Sequence, residues 1–263
     1  MLTITSRENK LIKHMAKLSQ NRRYRYSSGE FVTEGDKLSW EAAQSLGKPL
    51  QLLVTQQALN KGGAALEFLM DKMQEQAVLI PEEISEKLTA AQTPQGVFCL
   101  WQMPENMPKM QDISKGKYLV LDGLQDPGNV GTIIRSCEAF GLDGVILSAS
   151  CPDLYSPKVL RSTMGGIFRL PVYVCDNLVQ AVLQLREKGF QVYATALSED
   201  SRDITQIEWS DKAAVVIGNE GNGVSREILE SCEQPSVIIK MNGNAESLNA
   251  GVASAIVAWE MVR

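Results

Sequence analysis

Three polar, turn-rich segments hold the residues best suited to chemistry. The first, Asp122-Gly-Leu-Gln-Asp-Pro-Gly-Asn-Val-Gly131, runs into the apolar pattern of residues 132–141. Asn129 is placed to cap the helix that starts there, and Arg135 follows six residues on, nearly two turns along it. A guanidinium near a helix start suits a phosphate or a developing negative charge, because it keeps its proton and offers a fork of donors. The plainer alternative is one exposed arginine on an ordinary helix. The second segment, Val215-Val-Ile-Gly-Asn-Glu-Gly-Asn-Gly-Val224, opens from a strand into a loop with three glycines in six positions. Such a loop lets the backbone approach a ligand closely and fits a cofactor; a solvated turn is the alternative for Glu220. It has neither the Gly-x-Gly-x-x-Gly order of a dinucleotide site nor the Gly-Lys-Ser/Thr ending of a nucleotide P-loop. The third, Ile239-Lys-Met-Asn-Gly-Asn-Ala-Glu-Ser-Leu-Asn249, crowds Asn242, Asn244, Glu246, Ser247 and Asn249 at one strand-to-helix junction. A helix cap accounts for Ser247 alone, not for that density.

The elements that position these segments follow from periodicity. From residue 117 onward, Tyr118–Leu121, Gly144–Leu147, Leu170–Val174, Gln191–Ala194, Ala213–Ile217 and Val237–Ile239 read as strands. Val130–Phe140, Pro157–Met164, Leu178–Lys188, Ser225–Ser231 and Leu248–Val262 read as helices. In the last, Leu248, Val252, Ile256 and Trp259 form an apolar stripe. Strands separated by helices predict an α/β fold with a mainly parallel sheet, which binds ligands beyond the carboxyl ends of its strands. A smaller alternating α/β unit is expected over residues 1–102. It comprises an amphipathic helix at Lys10–Leu18 with Leu11, Met15 and Leu18 on one stripe, a strand at Phe31–Thr33, a helix from Asp36 through Leu46, a strand at Leu50–Thr55, a helix at Ala64–Glu75 and a last strand at Gly96–Trp101. Residues 103–116, with two prolines and no apolar period, make the linker to a second domain at 117–263.

At 263 residues and 44% hydrophobic composition the chain has enough apolar material for a sizeable core. Its net charge of −5 hides a basic arm: residues 1–26 carry Arg7, Lys10, Lys13, Lys17, Arg22, Arg23 and Arg25 against Glu8 alone. Such an arm suits a polyanion such as a nucleic acid, with Arg7, Lys10, Arg22, Arg23 and Arg25 as the expected contacts and Tyr24 and Tyr26 as stacking surfaces. A solvated helix face is the alternative. Cys99, Cys137, Cys151, Cys175 and Cys232 are scattered, and His14 is the sole histidine, so neither a disulfide framework nor a metal site is expected. Cys137 reads as a small buried hydrophobe. With no run of about 18 apolar residues and no secretory leader, a cytoplasmic protein without membrane contact is expected.

In this order and spacing, over about residues 117–262, the three segments resemble the signature motifs of the SpoU (TrmH) family of RNA 2'-O-ribose methyltransferases, in the SPOUT superfamily. Asn129, Gly131, Arg135, Phe140 and Gly141 match the first motif, Gly218, Glu220 and Gly223 the second, and Ser247, Leu248 and Asn249 the third. One position departs: Lys240 stands where a proline is usual. The resemblance implies a deep C-terminal trefoil knot holding S-adenosylmethionine, and a homodimer with its active site at the subunit interface. It further implies catalytic roles for Asn129, Arg135, Glu220, Ser247 and Asn249, and cofactor contacts at Leu197, Gly218, Asn219, Gly221, Ile239, Met241 and Leu248. The family assigns the hydroxyl proton to the motif-one arginine, here Arg135. Since arginine holds its own proton so tightly, stabilising alkoxide charge or gripping a phosphate is an equally good role. Residues 1–101 are similar to the ribosomal-protein-like RNA-binding domain that precedes many catalytic domains of the family. The expected reaction is methyl transfer to a ribose 2'-hydroxyl of structured RNA, with 23S ribosomal RNA preferred and transfer RNA second. The rivals are a non-catalytic RNA-binding or ribosome-assembly protein and a Rossmann-type oxidoreductase.

Overall fold

The structure, a computed structural model, describes residues 1–105, 107–198, 200–232 and 235–263, so Asn106 of the expected linker lies outside the described residues. The first part of the chain forms β1 (Leu2–Thr3), α1 (Lys10–Gln20), α2 (Arg22–Ser28), β2 (Glu30–Glu34), α3 (Asp36–Leu46), β3 (Gln51–Thr55), α4 (Gln56–Lys61), α5 (Ala64–Met73), β4 (Val78–Ile80), α6 (Glu82–Leu88) and β5 (Val97–Gln102). The second forms β6 (Gly116–Leu121), α7 (Pro127–Phe140), β7 (Gly144–Ser148), α8 (Pro157–Thr163), β8 (Val172–Cys175), α9 (Leu178–Glu187), β9 (Gln191–Ala194), β10 (Arg202–Asp203), β11 (Lys212–Ile217), α10 (Arg226–Ser231), β12 (Val237–Ile238) and α11 (Ala250–Val262). Two units result, residues 1–106 with 153–168, and residues 107–152 with 169–263.

In the first unit, Asn9 starts α1 by accepting the Leu11 N–H at 2.8 Å, satisfying a donor that the helix leaves unpaired. Helical spacing then buries Ile12, Met15 and Leu18 against Val32, Leu53, Phe98 and Leu100 of the sheet. That sheet runs β1-β4-β3-β5-β2, parallel among β1, β4 and β3, with β5 antiparallel to β3 and β2. Segment 153–168, which the chain inserts between β7 and β8, belongs here and not with its sequence neighbours. Its Tyr155 and Phe168 cover the fully buried Phe31, with ring centroids 4.7 and 6.3 Å away. Its Asp153 takes the side chain of Arg25. The Arg25 guanidinium is buried, donating from Nε to Asp153 Oδ2 at 2.8 Å and from Nη1 to the Leu18 carbonyl, while the Tyr26 hydroxyl donates to Asp153 Oδ1 at 3.0 Å. Arg25 is therefore a structural residue and not the RNA contact expected of it.

The second unit is built on a parallel sheet in the order β8-β7-β6-β11-β9. On one face α9 buries Leu178, Val182 and Leu185 against Val120, Ile146, Val192, Ala214 and Val216. On the other, α7 packs against α11. The strand expected at Val237–Ile239 is not part of this sheet. As β12 it pairs in parallel with β10, and Val237 bridges Thr195, where the edge strand β9 continues past the sheet. The apolar stripe read in the last helix also faces the other way. Gly251, Ser254, Val257, Ala258 and Met261 are the buried side, whereas Val252 and Trp259 are about half exposed and Leu248 lies exposed just before the helix. Cys137 is fully buried, and burial pushes its thiol pKa up, so it behaves as the small hydrophobe expected.

Candidate active site

Each polar segment leaves the carboxyl end of a strand, and side chains bind the segments together. Asp126 caps α7 by accepting the Gly128 N–H at 2.7 Å, with Pro127 in the first turn, so the cap is not Asn129 as expected. Relieved of capping, the buried Asn129 amide turns to partners distant in sequence. Its Nδ2 donates to Glu220 Oε1 at 2.8 Å and its Oδ1 accepts from Asn249 Nδ2 at 3.0 Å. Asn249 caps α11 with its own Oδ1, accepting from the N–H groups of Gly251 and Val252 at 2.9 and 3.2 Å. The Glu220 carboxylate also accepts the backbone N–H of Gln125 at 2.9 Å and of Asp126 at 3.2 Å. Burial alone would raise the Glu220 pKa. The hydrogen bonds from Asn129 and the two loop amides outweigh it and hold the carboxyl below its ordinary value. Glu220 thus stays ionised through the neutral range, and the stabilisation it brings is lost only as pH falls through that lowered value.

Two residues not singled out from sequence, Asp122 and Ser148, complete the frame together with Asn219, which was expected as a cofactor contact. Ser148 Oγ accepts the Gly123 N–H at 3.0 Å, Asn219 Nδ2 donates to the Gly123 carbonyl at 2.7 Å, and Asp122 Oδ2 accepts the Ser225 N–H at 2.8 Å. The signal for Asp122 and Ser148 was their place at strand ends. Asn219 Oδ1 also accepts the N–H groups of Gly221 and Asn222, shaping the second loop from within. That loop closes on itself: Asn219 and Gly223 exchange backbone hydrogen bonds at 2.9 Å, and a Cβ at Gly218 would lie 2.1 Å from backbone atoms of Gly223 and Val224. Backbone cannot yield there as a flexible side chain would. Gly218→Ala should therefore distort this loop and, if the loop holds S-adenosylmethionine as the family resemblance implies, weaken that binding by about tenfold or more, measured by titration calorimetry. Affinity within about twofold of the unmodified protein would show that this loop does not shape the cofactor site.

Arg135 lies exposed on α7 and, among the described residues, forms no hydrogen bond or ion pair. The acid one turn on, Glu138, is engaged by Arg169, Nε to Oε1 at 2.8 Å, and is not the partner of Arg135 that i,i+3 spacing would allow. Ser247 is exposed two residues before the Asn249 cap, so it does not cap α11. Three backbone segments meet beside this frame. The Thr195 N–H donates to the Val216 carbonyl at 2.9 Å and the Ala196 N–H to the Val237 carbonyl at 3.3 Å, setting residues 195–197 between the ends of β11 and β12. At this junction Leu197 is 80% exposed, a large apolar side chain that water alone does not favour, and Ile239 and Met241 just beyond β12 are half-buried; Leu248, before α11, is 36% exposed. The set suits a ligand with a flat apolar part and polar edges. In the basic arm, Arg7, Lys10, Arg22 and Arg23 are exposed as expected. Among the described residues no group of histidine, cysteine, aspartate or glutamate is arranged to hold a metal ion, and no helix is long and apolar enough to cross a membrane.

Comparison with known proteins identifies the family. Residues 116–259 match the SpoU rRNA Methylase family, and residues 9–99 match the MRM3-like substrate binding domain. Over 261 residues, 99% of each chain, the sequence is 34% identical to the Bacillus subtilis (strain 168) protein named 23S rRNA (guanosine(2553)-2'-O)-methyltransferase RlmP. The crystal structure of AdoMet-bound rRNA methyltransferase from Sinorhizobium meliloti superposes with a TM-score of 0.83 at 29% identity, covering 98% of this chain and 96% of that one. The SpoU methyltransferase AviRb from Streptomyces viridochromogenes, solved in complex with the cofactor AdoMet, gives 0.81 at 26% identity over 97% of each chain.

Proposed function

The chain belongs to the SpoU rRNA methylase family and is an S-adenosylmethionine-dependent RNA 2'-O-methyltransferase; from that premise we propose that it methylates a ribose of 23S ribosomal RNA. The full-length likeness to a protein named for that activity supports the choice of RNA. The observation that carries the assignment of roles is the hydrogen-bonded series Glu220–Asn129–Asn249, which joins all three motifs, while Arg135 and Ser247 of the same motifs are exposed.

Bound S-adenosylmethionine supplies an electrophilic methyl carbon. The residues here hold the 2'-oxygen in line with it, and alignment of that kind accounts for much of the acceleration in such transfers. Arg135, with no partner among the described residues, faces the oxygen as its negative charge grows, or the neighbouring phosphate. Glu220 is a poor base, since both its oxygens already accept hydrogen bonds and its pKa is lowered. Its work is to fix the loop from Gln125 to Asn129. Asn129 and Asn249 pass that order to the start of α11, and Ser247 orients the ribose. Backbone and apolar groups of Leu197, Gly218, Asn219, Gly221, Ile239, Met241 and Leu248 hold the cofactor, within a trefoil-knotted domain at 117–263.

Residues 1–102 bind RNA, with Arg7, Lys10, Arg22 and Arg23 as phosphate contacts, and 103–116 link the two parts. The outward apolar residues Leu248, Val252 and Trp259 support a homodimer formed through α11. The site of action is the cytoplasm. Tritiated S-adenosylmethionine, offered with unmodified ribosomal and transfer RNA, should label a 2'-oxygen of 23S RNA, and light scattering should give twice the chain mass. Label on a base, or on transfer RNA alone, would overturn this reading of the substrate, and a monomer in solution would overturn that of the dimer.

A further inference from the structure

The first unit contains a cleft of about 390 Å³ at the carboxyl ends of β3 and β4, lined among others by Asp36, Lys61, Leu66, Glu82, Thr93 and Gln95. Its wall is held in place. The buried Glu34 carboxylate accepts the Thr89 hydroxyl at 2.7 Å and the Gln95 N–H at 3.2 Å, pinning both ends of the loop that forms one side. Where that loop enters β5, a Cβ at Gly96 would lie 2.5 Å from Thr55 Oγ1, and its φ of +71° is one that side chains rarely adopt, so glycine sets how closely the wall approaches.

The lining has uncommitted hydrogen-bonding capacity of both signs. Among the described residues, the Lys61 ammonium and Thr93 hydroxyl have no partner, while Asp36 and Glu82 each accept a backbone N–H through one oxygen. Carboxylates only accept and an ammonium only donates, so an occupant satisfying both presents N–H donors next to an acceptor. Leu66, Ala58 and Val97 add apolar wall, which suits the faces of a flat ring. The volume is at the small end of ligand pockets, enough for one nucleotide. All of these residues fall in the stretch that matches a substrate binding domain. Proteins read RNA sequence mainly at unstacked bases, by hydrogen bonds to their edges.

We propose that this cleft takes one unstacked guanine of the substrate RNA, its N1–H and 2-amino group donating to the Asp36 and Glu82 carboxylates and its 6-oxygen accepting from Lys61. This rests on the reading that the substrate is RNA, and it concerns a nucleotide other than the one methylated. Sign separates it from plain electrostatic attraction. Replacing carboxylates by amides makes the cleft less negative, so a cleft that only meets phosphate would bind RNA more tightly.

The test is fluorescence anisotropy of the full chain with a 23S RNA fragment, unmodified or with inosine in place of its unpaired guanines, which removes the 2-amino donor. The unmodified protein should bind the inosine RNA about tenfold more weakly. Asp36→Asn with Glu82→Gln should weaken binding of the guanine RNA by a similar factor and abolish the discrimination, with the thermal unfolding midpoint unchanged. Equal affinity for the two RNAs, or tighter binding by the amide variant, would overturn the proposal. Absence of methyl transfer by the unmodified protein would instead sink the substrate assignment and leave this binding result to be read by itself.

Discussion

Arg135→Ala should lower kcat for methyl transfer by about a hundredfold to a thousandfold, the usual cost of removing one donor to a developing oxyanion. The affinity for S-adenosylmethionine should stay within about twofold, because the segments proposed to hold the cofactor follow β9, β11 and β12, whereas Arg135 lies on α7. The side chain is exposed and takes no part in holding the frame, so the fold should survive and the loss should be one of chemistry. Arg135→Lys keeps the charge but not the planar fork, and should recover only part of the rate. Single-turnover measurements with saturating RNA separate the possibilities. A normal rate in the alanine variant would remove Arg135 from the reaction. A loss appearing only in KM would make it a phosphate grip that contributes equally before and during the transfer.

The largest effect on stability is expected from Asp153→Ala, far in sequence from any motif. Asp153 is the counterion of a guanidinium that is almost wholly buried, and it also accepts the Tyr26 hydroxyl. Removing it leaves Arg25 charged and buried with, among the described residues, the Leu18 carbonyl as its one remaining acceptor, a loss of about 3–5 kcal/mol. For a chain of this size that corresponds to a fall of roughly 10 °C in the unfolding midpoint. Replacing both partners, as Arg25→Leu with Asp153→Leu, should restore much of the loss, because an apolar pair needs no solvation. Calorimetry on the three proteins settles the matter. A shift under about 2 °C for the single variant would mean that water reaches the Arg25 head group. For the same reason a fragment of residues 1–106 alone should not fold: it lacks Asp153 and the two rings that cover Phe31.

Much of this arrangement was legible in the sequence, and the exceptions share a cause. The helices at Asp36–Leu46 and Leu178–Glu187 and the strand at Gln191–Ala194 follow from local periodicity and turn residues, so a short window suffices to find them. The elements passed over, β1, α2, α4, β4, α6 and β10, are shorter than the window of about 11 residues over which an apolar period can be read. In the last helix the apolar composition was read correctly but not its direction. Both sides of α11 are largely apolar, and only packing against α7 shows that Val252 and Trp259 are left outside. Asn129 was expected from local sequence to cap α7, and its functional role came only from the family resemblance. The cap is Asp126, and its release from capping is what lets Asn129 reach Glu220 and Asn249.

By itself the sequence determined the order of strands and helices, the placing of polar loops after strands, and the residue types able to stabilise a methyl transfer, because each depends on neighbours within a turn or two of chain. Only the tertiary structure decided which side chains meet. Asn129 finds Glu220 across 91 residues and Asn249 across 120, and Arg25, one cation among seven in the basic arm, is withdrawn from solvent by a carboxylate 128 residues away. A buried charge must find a partner wherever the fold brings one, and no local pattern records that distance.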